Sequence, residues 1–417
     1  MRNRHTLYLG ALLGSALALA ALTPAAAASA SRADLKRILA ATGRPASAVP
    51  QKSGAVSGFA AVRQPSTYTV LHDFAGGTND GQDSTAEVTL DASGNIYGTT
   101  AGGGANSMGT LFELAPGGTE TLLHSFGATG DGELPDGAVT VESNGDMYGT
   151  TNYGGASDNG TIWERQADGT YSVLHSFAYD EGNLVRGRLV QDGRGNFYGT
   201  ALFGGAPGDG TVFKYSAKGK LTVLHAFNGT DGEFPEHGVV RDKAGNLYGV
   251  TAFGGSSGDG TVYEIAADET FTTLYNFTGG ADGGFLYGGL AIDRSGNLYG
   301  STVDDGADSN GTVFKLAPDG TLTTLYSFTG GTDGGGAEGD MLRVGKKLYS
   351  TATSGGANGD GGVYEVTLRG KEKMLHAYTG SDGSGYSAGV TKSGRSFYGT
   401  VSGGGTDGDG VVFSLTK

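Results

Sequence analysis

Short apolar stretches alternate with polar turns in a unit that is clearest around Tyr248. Residues 238–242 form one apolar stretch, residues 247–251 and 261–265 form two more, and residues 271–277 alternate between apolar and polar side chains. Each stretch has the length of a strand and is bounded by Gly, Asp or Asn, which favour turns because they tolerate positive φ or bond to nearby backbone amides. The unit therefore predicts four antiparallel strands, which we name a, b, c and d in chain order.

This unit recurs seven times with a nearly constant period. Its marker is a tyrosine in strand b, followed by Gly in six copies and by Ser after Tyr349. Successive markers lie 49 to 51 residues apart: Tyr97, Tyr148, Tyr198, Tyr248, Tyr299, Tyr349 and Tyr398. A fixed period of this size predicts a repeat fold, in which each unit buries its faces against its neighbours. Four antiparallel strands in about 50 residues is the size of one propeller blade.

The order of strands at the two ends of the repeats predicts how the ring closes. Residues 68–74 have the pattern of a d strand but precede the first a strand, and residues 411–415 form a c strand with no d strand after it. Pairing of residues 67–74 with residues 410–416 would leave no sheet edge exposed at the ends. We therefore predict an all-β, seven-bladed propeller of four-stranded antiparallel blades, the last completed by the N-terminal strand. An open solenoid is the alternative, and it would require capping repeats.

The predicted propeller comprises residues 67–417, and the residues before it divide into two segments. Residues 1–30 combine Arg2 and Arg4, an apolar run and small residues from position 25 onward, which is the pattern of a cleaved secretory signal peptide. An uncleaved membrane anchor is the alternative. Residues 31–66 are predicted to be a flexible linker with a short helix near residues 33–39. We expect a secreted or periplasmic monomer with no membrane span after signal cleavage.

Composition excludes several classes of protein. The chain contains 80 glycines without a strict every-third-residue period, so it is not collagen-like. Its net charge of −15 repels phosphate backbones, so we expect no nucleic-acid partner. The absence of cysteine excludes disulfides, a thiol nucleophile and cysteine zinc sites.

The repeated motif carries a family resemblance. Gly-Asn-Leu-Tyr-Gly at 245–249, Gly-Gly at 254–255 and Gly-Thr-Val-Phe at 210–213 recur in register over residues 68–417. The pattern resembles the GloVer tandem repeat of exported bacterial proteins that are described as having a choice of anchors. The resemblance implies export and propeller-like repetition, but no established activity. The chain ends directly after strand c, so we do not expect a C-terminal surface anchor.

Antiparallel strand order places the b–c loops and the d–a connections on one side of the ring, which is rich in acidic and aromatic residues. Loops on a rigid scaffold commonly carry binding sites, and aromatic rings suit sugar faces. We therefore predict that this side of a non-catalytic protein binds an extracellular glycan or protein. The candidate ligand-binding residues are Tyr153, Phe203, Phe234, Phe253, Phe285, Tyr287 and Tyr386.

Two alternatives remain open at this point. The d–a connections depart from the repeat pattern and would bring acids, a histidine and an arginine to the mouth of the central channel, where they could act on a polysaccharide as a lyase or glycoside hydrolase. If the protein is an enzyme, its candidate catalytic residues are Glu133, Asp136, Arg186, Glu236 and His237. The other alternative is a structural cell-surface or biofilm protein. The sequence does not decide between enzyme and binder, although the balance favours a binder.

Other recurring polar residues are interpreted as structural. Five histidines share a d-strand position with Tyr275 and Tyr326, so we predict blade packing with one hydrogen bond rather than metal binding; they are His72, His124, His175, His225 and His376. Loops such as residues 204–211 and 254–261 contain Asp and Gly in turn-forming positions, and calcium at these Asp-rich loops is the alternative. We predict no other cofactor.

Overall fold

The computed structural model describes residues 66–417, which form strands, turns and loops without a helix. Nothing in this part of the chain has the helical length and apolar character needed to cross a membrane. The predicted signal peptide and all of the predicted linker except Ser66 lie outside the described residues.

Seven four-stranded antiparallel sheets form the blades of a closed ring, which confirms the predicted all-β propeller. Each sheet has the order a, b, c, d. The strands are, for blade 1, Thr89–Leu90, Ile96–Thr100, Thr110–Leu114 and Glu120–Ser125; for blade 2, Thr140–Val141, Met147–Thr151, Thr161–Arg165 and Tyr171–Ser176; for blade 3, Asn183–Gln191, Phe197–Phe203, Thr211–Tyr215 and Leu221–Ala226; for blade 4, Val240–Arg241, Leu247–Thr251, Thr261–Ile265 and Phe271–Asn276; for blade 5, Ala291–Ile292, Leu298–Thr302, Thr312–Leu316 and Leu322–Ser327; for blade 6, Leu342–Val344, Lys347–Ala352, Gly362–Thr367 and Glu372–Ala377; and for blade 7, Thr391–Ser393, Ser396–Val401, Val411–Thr416 and Thr67–Asp73. Two loop sheets pair Gly81–Gln82 with Gly102–Gly103 and Gly132–Glu133 with Tyr153–Gly154.

The N-terminal strand closes the ring as predicted. Thr67–Asp73 pairs antiparallel with Val411–Thr416, with a bulge between Val70 and His72. Tyr68 stacks on Phe413 with ring centroids 5.0 Å apart, and Thr400 of blade 7 donates a 2.8 Å hydrogen bond to the carbonyl of Ala86 at the start of blade 1. The first and last parts of the described chain therefore form one continuous circle.

The repeated tyrosine of strand b fixes the turn that precedes it. In blade 4, the carboxylate of Asp242 accepts hydrogen bonds from the amides of Gly245 (2.8 Å) and Asn246 (2.9 Å), and the Tyr248 hydroxyl donates to its second oxygen at 3.3 Å. The Asp-to-Tyr bond recurs in blades 1, 3 and 5. The tyrosines are therefore structural residues, as predicted.

In six of the seven blades, the glycine that follows the repeat tyrosine makes room for an aromatic ring of strand c. A Cβ built on Gly149 would lie 2.3 Å from Trp163, and one built on Gly249 would lie 2.3 Å from the Tyr263 hydroxyl oxygen. Both rings are fully buried. In these six blades the Tyr-Gly pair therefore reflects packing of a ring onto bare backbone, where an added Cβ would displace the ring; blade 6 instead has Ser350 opposite the buried Tyr364.

Gly149→Ala is expected to reduce the free energy of unfolding by about 1–3 kcal/mol, because the added methyl group overpacks the site beneath Trp163. Chemical denaturation of the variant and the parent measures the difference. Ser350→Ala is the matched control, since Ser350 occupies the same position in blade 6 and already carries a Cβ. That control is expected to lose only the 2.7 Å hydrogen bond from Ser350 to Gly339, about 1 kcal/mol. Equal stability of Gly149→Ala and the parent would contradict the packing explanation.

A histidine or tyrosine in each d strand bonds to a carboxylate of the following loop, which confirms the predicted packing with one hydrogen bond. The seven bonds measure 2.8 to 3.2 Å and join His72 to Asp80, His124 to Asp131, His175 to Glu181, His225 to Asp231, Tyr275 to Asp282, Tyr326 to Asp333 and His376 to Asp382. At three junctions the histidine also stacks on a ring at the start of the next d strand: Tyr171 and Phe271, which open their strands, and Tyr68, the second residue of the closing strand.

Glu372 occupies that opening position in blade 6, and its substitution tests a pH effect. Burial and then the charge of Asp333 raise the pKa of Glu372 to about 7. A raised pKa stabilises the fold below the unfolded-state pKa, and this stabilisation is lost as the pH rises through about 7. Glu372→Gln is therefore expected to stabilise the protein at pH 8 by about 1 kcal/mol, after allowance for solvent screening of this half-buried group. Melting curves at pH 8 and pH 5 should show a gain that shrinks toward pH 5; an equal gain at both would contradict the assignment.

Candidate functional site at the channel mouth

The b–c loops and the d–a connections pair directly with each other, so they share one side of the ring as the strand order predicted. Glu133 pairs with Tyr153 in blade 2. The same contact recurs in later blades, between Glu233 and Phe253, Gly284 and Asp304, Gly335 and Ser354, and Ser384 and Gly403. These connections lead into the innermost strands, so their last residues lie at the mouth of the central channel.

Register identifies which residues surround this mouth. In each blade one residue of strand a pairs with the repeat tyrosine, for example Val240 with Tyr248. Side chains two and four positions earlier share a face of the extended chain. Four positions earlier stand Thr85, Asp136, Arg186, Glu236, Tyr287, Glu338 and Ser387; two positions earlier stand Glu87, Ala138, Arg188, Gly238, Gly289, Asp340 and Gly389. Most of the charge is concentrated in blades 1 to 4 and 6.

Arg186 lies between two carboxylates from the blades on either side. Its guanidinium contacts Asp136 at 2.6 Å and Glu236 at 2.8 Å, and Thr85 donates a hydrogen bond to Asp136. Burial disfavours the guanidinium charge, but Asp136 and Glu236 outweigh it and raise the pKa of Arg186. The arginine is therefore already neutralised within the protein, and its role is to hold two acids together.

A second arginine bridges blades that are not neighbours. Arg188 of blade 3 contacts Glu87 of blade 1 at 3.1 Å, and Glu87 also accepts a 2.7 Å hydrogen bond from Thr391 of blade 7. Burial raises the pKa of Glu87, although Arg188 opposes that shift. Contacts between blades two places apart can form only near the axis, so this pair lies in the channel.

His237 lies between an acid of blade 6 and a tyrosine that leads into blade 7. Its Nδ1 is 2.8 Å from Asp340, and its Nε2 is 3.2 Å from the Tyr386 hydroxyl. Burial disfavours the imidazolium, yet Asp340 raises the pKa of His237 overall, and His237 in turn lowers the pKa of Asp340 against the effect of its burial. The Gly289 amide also donates to Asp340, at 2.6 Å. Both shifts favour the charged forms, so the contact favours an ion pair between His237 and Asp340.

Several polar atoms at the mouth lack a protein partner. Glu236 is 5% exposed, and its Oε1 makes no hydrogen bond; the buried Tyr287 hydroxyl makes none either. Burial and then the charge of Glu236 raise the pKa of Glu338 to about 7, and burial and the charges of both acids raise that of Tyr287. Buried polar atoms without partners are rare in folded proteins, so these groups are available to water or a ligand.

The aromatic residues predicted for ligand binding form a row beside these acids. Ring centroids are 4.9 Å apart for Phe203 and Phe234, 5.8 Å for Phe234 and Phe253, and 5.1 Å for Phe253 and Phe285. Phe253 and Phe285 are buried, at 1% and 3% exposure, whereas Phe203 and Phe234 keep partly exposed rings. Tyr287 packs against Phe253 with centroids 6.2 Å apart. The two buried rings support the row, and the outer rings are the ones a ligand could contact.

Tyr153 and Tyr386 belong to the acidic part of the site. Tyr153 is half-buried near Arg186: burial raises its pKa and the guanidinium opposes that shift. Burial, followed by the charges of Asp136, Glu338 and Asp340, raises the pKa of Tyr386 well above its ordinary value. Both hydroxyls are therefore protonated at neutral pH. The ligand-binding role of the seven aromatic residues remains a prediction.

The structure brings together most of the residues named for the enzyme alternative. Asp136, Arg186 and Glu236 are in direct contact and His237 is adjacent in sequence to Glu236. Glu133 instead lies in the loop sheet with Tyr153. The sequence analysis did not identify Glu87, Glu338 and Asp340. Counting back from the strand-a residue that pairs with the repeat tyrosine would have found them.

The Asp-rich loops show turn geometry. In residues 204–211 the Gly210 amide bonds to the Gly204 carbonyl at 3.1 Å, and Gly208 has a φ of 99°. Burial and the charge of Asp231 raise the pKa of Asp209. This geometry agrees with the turn-forming role predicted for their Asp and Gly residues, and calcium stays the alternative.

Comparison with known proteins supports the repeat assignment. A sequence profile described as the Gloeobacter/Verrucomicrobia repeat matches residues 43–243 and 236–417. No curated protein matches the chain.

Several solved structures are similar to this chain at low sequence identity. The extracellular domain of a B. thetaiotaomicron protein assigned as a hybrid two-component system is 12% identical with a TM-score of 0.51, over 82% of this chain and 39% of that one. The surface component PorZ of the type-IX secretion system of Porphyromonas gingivalis is 14% identical with a TM-score of 0.49, over 82% of this chain and 47% of that one. A gluconolactonase from Xanthomonas campestris is 15% identical with a TM-score of 0.40, over 69% and 87%. The chain spans less than half the length of the first two proteins.

Proposed function

We propose that this chain, which belongs to the Gloeobacter/Verrucomicrobia repeat family, is an exported, non-catalytic propeller. Its ligand would be a glycan that binds at the channel mouth. Export is supported by the signal-peptide pattern of residues 1–30. The observation that carries the binding proposal is the set of buried polar atoms without protein partners, the Glu236 Oε1 and the Tyr287 hydroxyl. Sugar hydroxyls can donate to the first and accept from the second.

The charges at the mouth favour a neutral, hydroxyl-rich ligand. Both guanidiniums are already bonded to carboxylates, so neither is left to attract an anion. Acids outnumber bases here, with five carboxyl groups against two guanidiniums and one imidazole: Glu87, Asp136, Glu236, Glu338 and Asp340 against Arg186, Arg188 and His237. Carboxylates bind sugar hydroxyls through charge-assisted hydrogen bonds. The partly exposed rings of Phe203 and Phe234 provide the adjacent apolar surface for a sugar face.

One observation favours a glycoside hydrolase as the second candidate. Glu338, with a pKa of about 7, lies close enough to Glu236 for their charges to interact, and a protonated acid beside a second carboxyl group is the basic requirement of that chemistry. A lyase has less support. The Tyr386 hydroxyl keeps its proton at neutral pH, and His237 is paired with Asp340, so neither is a ready base.

Binding is tested by incubating the secreted full-length protein with a glycan array and insoluble polysaccharides, with and without calcium. Glu236→Gln and Tyr386→Phe keep side-chain volume while changing the polar atoms. Arg294→Ala is the control, because this exposed residue lies in the a–b turn of blade 5 on the other side of the ring. We expect retention of an intact glycan that both site variants weaken at least tenfold and the control leaves unchanged.

Other outcomes reject the proposal in distinguishable ways. Shortened or unsaturated product would identify an enzyme, and Glu338→Gln would then be the next variant. Retention that survives Glu236→Gln and Tyr386→Phe would place the site elsewhere. Failure to retain any glycan would leave a protein partner or a structural role.

A further inference from the structure

One junction between blades differs from the other six in its side chains. His72 lies on the closing strand Thr67–Asp73, Asp80 lies in the loop after it, and Glu120 opens the outer strand of blade 1. The His72 Nε2 is 3.2 Å from Asp80 Oδ1 and 3.9 Å from Glu120 Oε2, and all three ligand atoms lie within 4.8 Å of one another. No other group of three or more His, Asp or Glu side chains in residues 66–417 is arranged in this way.

The comparison with equivalent junctions shows what is unusual. Where Glu120 stands, blade 2 has Tyr171 and blade 4 has Phe271, each stacked on the preceding blade's histidine at 3.8 and 3.6 Å. Blade 6 also has a glutamate, Glu372, but the facing side chain there is Tyr326 rather than a histidine. Among these seven junctions, a histidine faces a glutamate at the start of the next d strand only between blades 7 and 1, where the ring closes.

We propose that His72, Asp80 and Glu120 form a binding site for a divalent transition-metal ion, of which Zn²⁺ is the best match. One imidazole nitrogen and two carboxylate oxygens are a zinc ligand set, which leaves a fourth position for water. Ligands about 2 Å from zinc at tetrahedral angles lie about 3.3 Å apart. The 3.2 Å distance from His72 to Asp80 already matches this spacing, and Glu120, at 3.9 Å from His72, must move closer. Calcium prefers six to eight oxygen ligands and fits this set poorly.

The surroundings prepare the three ligands for a cation. The amides of Ala75 and Gly81 donate to Asp80 at 2.8 and 2.6 Å and hold its carboxylate toward His72. The side chains are 11% to 18% exposed, so an ion can enter from solvent. The Glu120 Oε1 is buried and makes no hydrogen bond, which leaves this oxygen without the donor that a buried carboxylate oxygen normally has. A bound ion would join the closing strand to blade 1.

The test is titration of the full-length, tag-free protein with ZnCl₂ after removal of metal by EDTA. Isothermal titration calorimetry measures binding, and thermal melting measures the linked stabilisation. We expect one zinc per chain with a Kd in the micromolar range or tighter, and a Tm increase of about 4 °C at a 100-fold excess over Kd. His72→Tyr, which copies the residue type at Tyr275 and Tyr326, and Glu120→Gln should each weaken binding at least tenfold.

The chain provides matched controls for both variants. His124→Tyr changes an equivalent histidine that faces Tyr171, and Glu372→Gln changes the equivalent glutamate that faces Tyr326; both should bind zinc like the parent. If His72→Tyr does not fold, Glu120→Gln alone decides, since it preserves side-chain volume. Absence of zinc binding by the parent, equal binding by Glu120→Gln, or binding of calcium alone would each overturn the proposal.

Discussion

Deletion of residues 67–74 is expected to lower the Tm by about 10 °C or more, or to leave the protein aggregated. The deletion removes the outer strand of blade 7, which pairs with Val411–Thr416 along its whole length. It also removes Phe74, which is fully buried against Phe112 of blade 1. Loss of one such ring costs about 3–5 kcal/mol, and the unpaired strand exposes an edge that can join another chain.

Thermal melting and size-exclusion chromatography measure this effect, with a chain that begins at residue 66 as the parent. Both proteins then lack the same preceding residues, and only the closing strand differs. A separate peptide of residues 66–75 should restore part of the lost Tm, because the pairing edge remains on Val411–Thr416. Identical melting of the truncated and parent chains would contradict closure of the ring by this strand.

Arg186→Met is expected to lower the free energy of unfolding by about 3–5 kcal/mol at pH 8. The substitution leaves Asp136 and Glu236 as two mutually repelling carboxylates without their shared cation, and Glu236 is almost fully buried. Protonation relieves this repulsion, so the variant should regain stability as the pH falls toward 5. Denaturant unfolding at both pH values measures the loss and its recovery.

Two further variants separate charge from packing. A triple variant that adds Asp136→Asn and Glu236→Gln to Arg186→Met removes all three charges and should recover most of the stability at pH 8. Arg343→Met is the control for loss of an arginine near an acid, since Arg343 lies 3.9 Å from Asp293 and is more exposed; it should cost less than about 1 kcal/mol. Equal losses of unfolding free energy for Arg186→Met and Arg343→Met would show that the buried ion pairs of Arg186 stabilise the protein no more than an exposed pair does.

The repeated features of the fold could be predicted because each copy confirms the others. The period of the Tyr-Gly pair gave the number of blades, and the unpaired strand types at residues 68–74 and 411–415 gave the closure. The histidine and tyrosine positions in strand d were interpreted correctly for the same reason. A residue that alternates between His and Tyr across copies serves a shared structural need, here one hydrogen bond to a loop carboxylate.

The channel mouth was harder to predict because its residues do not repeat. Glu338 and Asp340 were missed, since the a–b turn of blade 6 is one residue shorter: Tyr349 follows its partner Leu342 by seven positions, whereas Tyr248 follows Val240 by eight. Contacts across the ring axis, such as Arg188 with Glu87, depend on three-dimensional closure and leave no local pattern. Burial of Phe253 and Phe285 likewise arises from loop packing, which strand order does not specify.

Because the first described strand pairs with the last, the ring can close only late in synthesis of the chain. Thr67–Asp73 is among the first of the described segments to leave a ribosome, and its partner Val411–Thr416 is the last. Roughly 340 residues must appear before that contact can form, and contacts between such distant segments form slowly. Until then the growing chain has two open sheet edges. A nascent chain therefore cannot complete this blade before residues 411–416 have been synthesised.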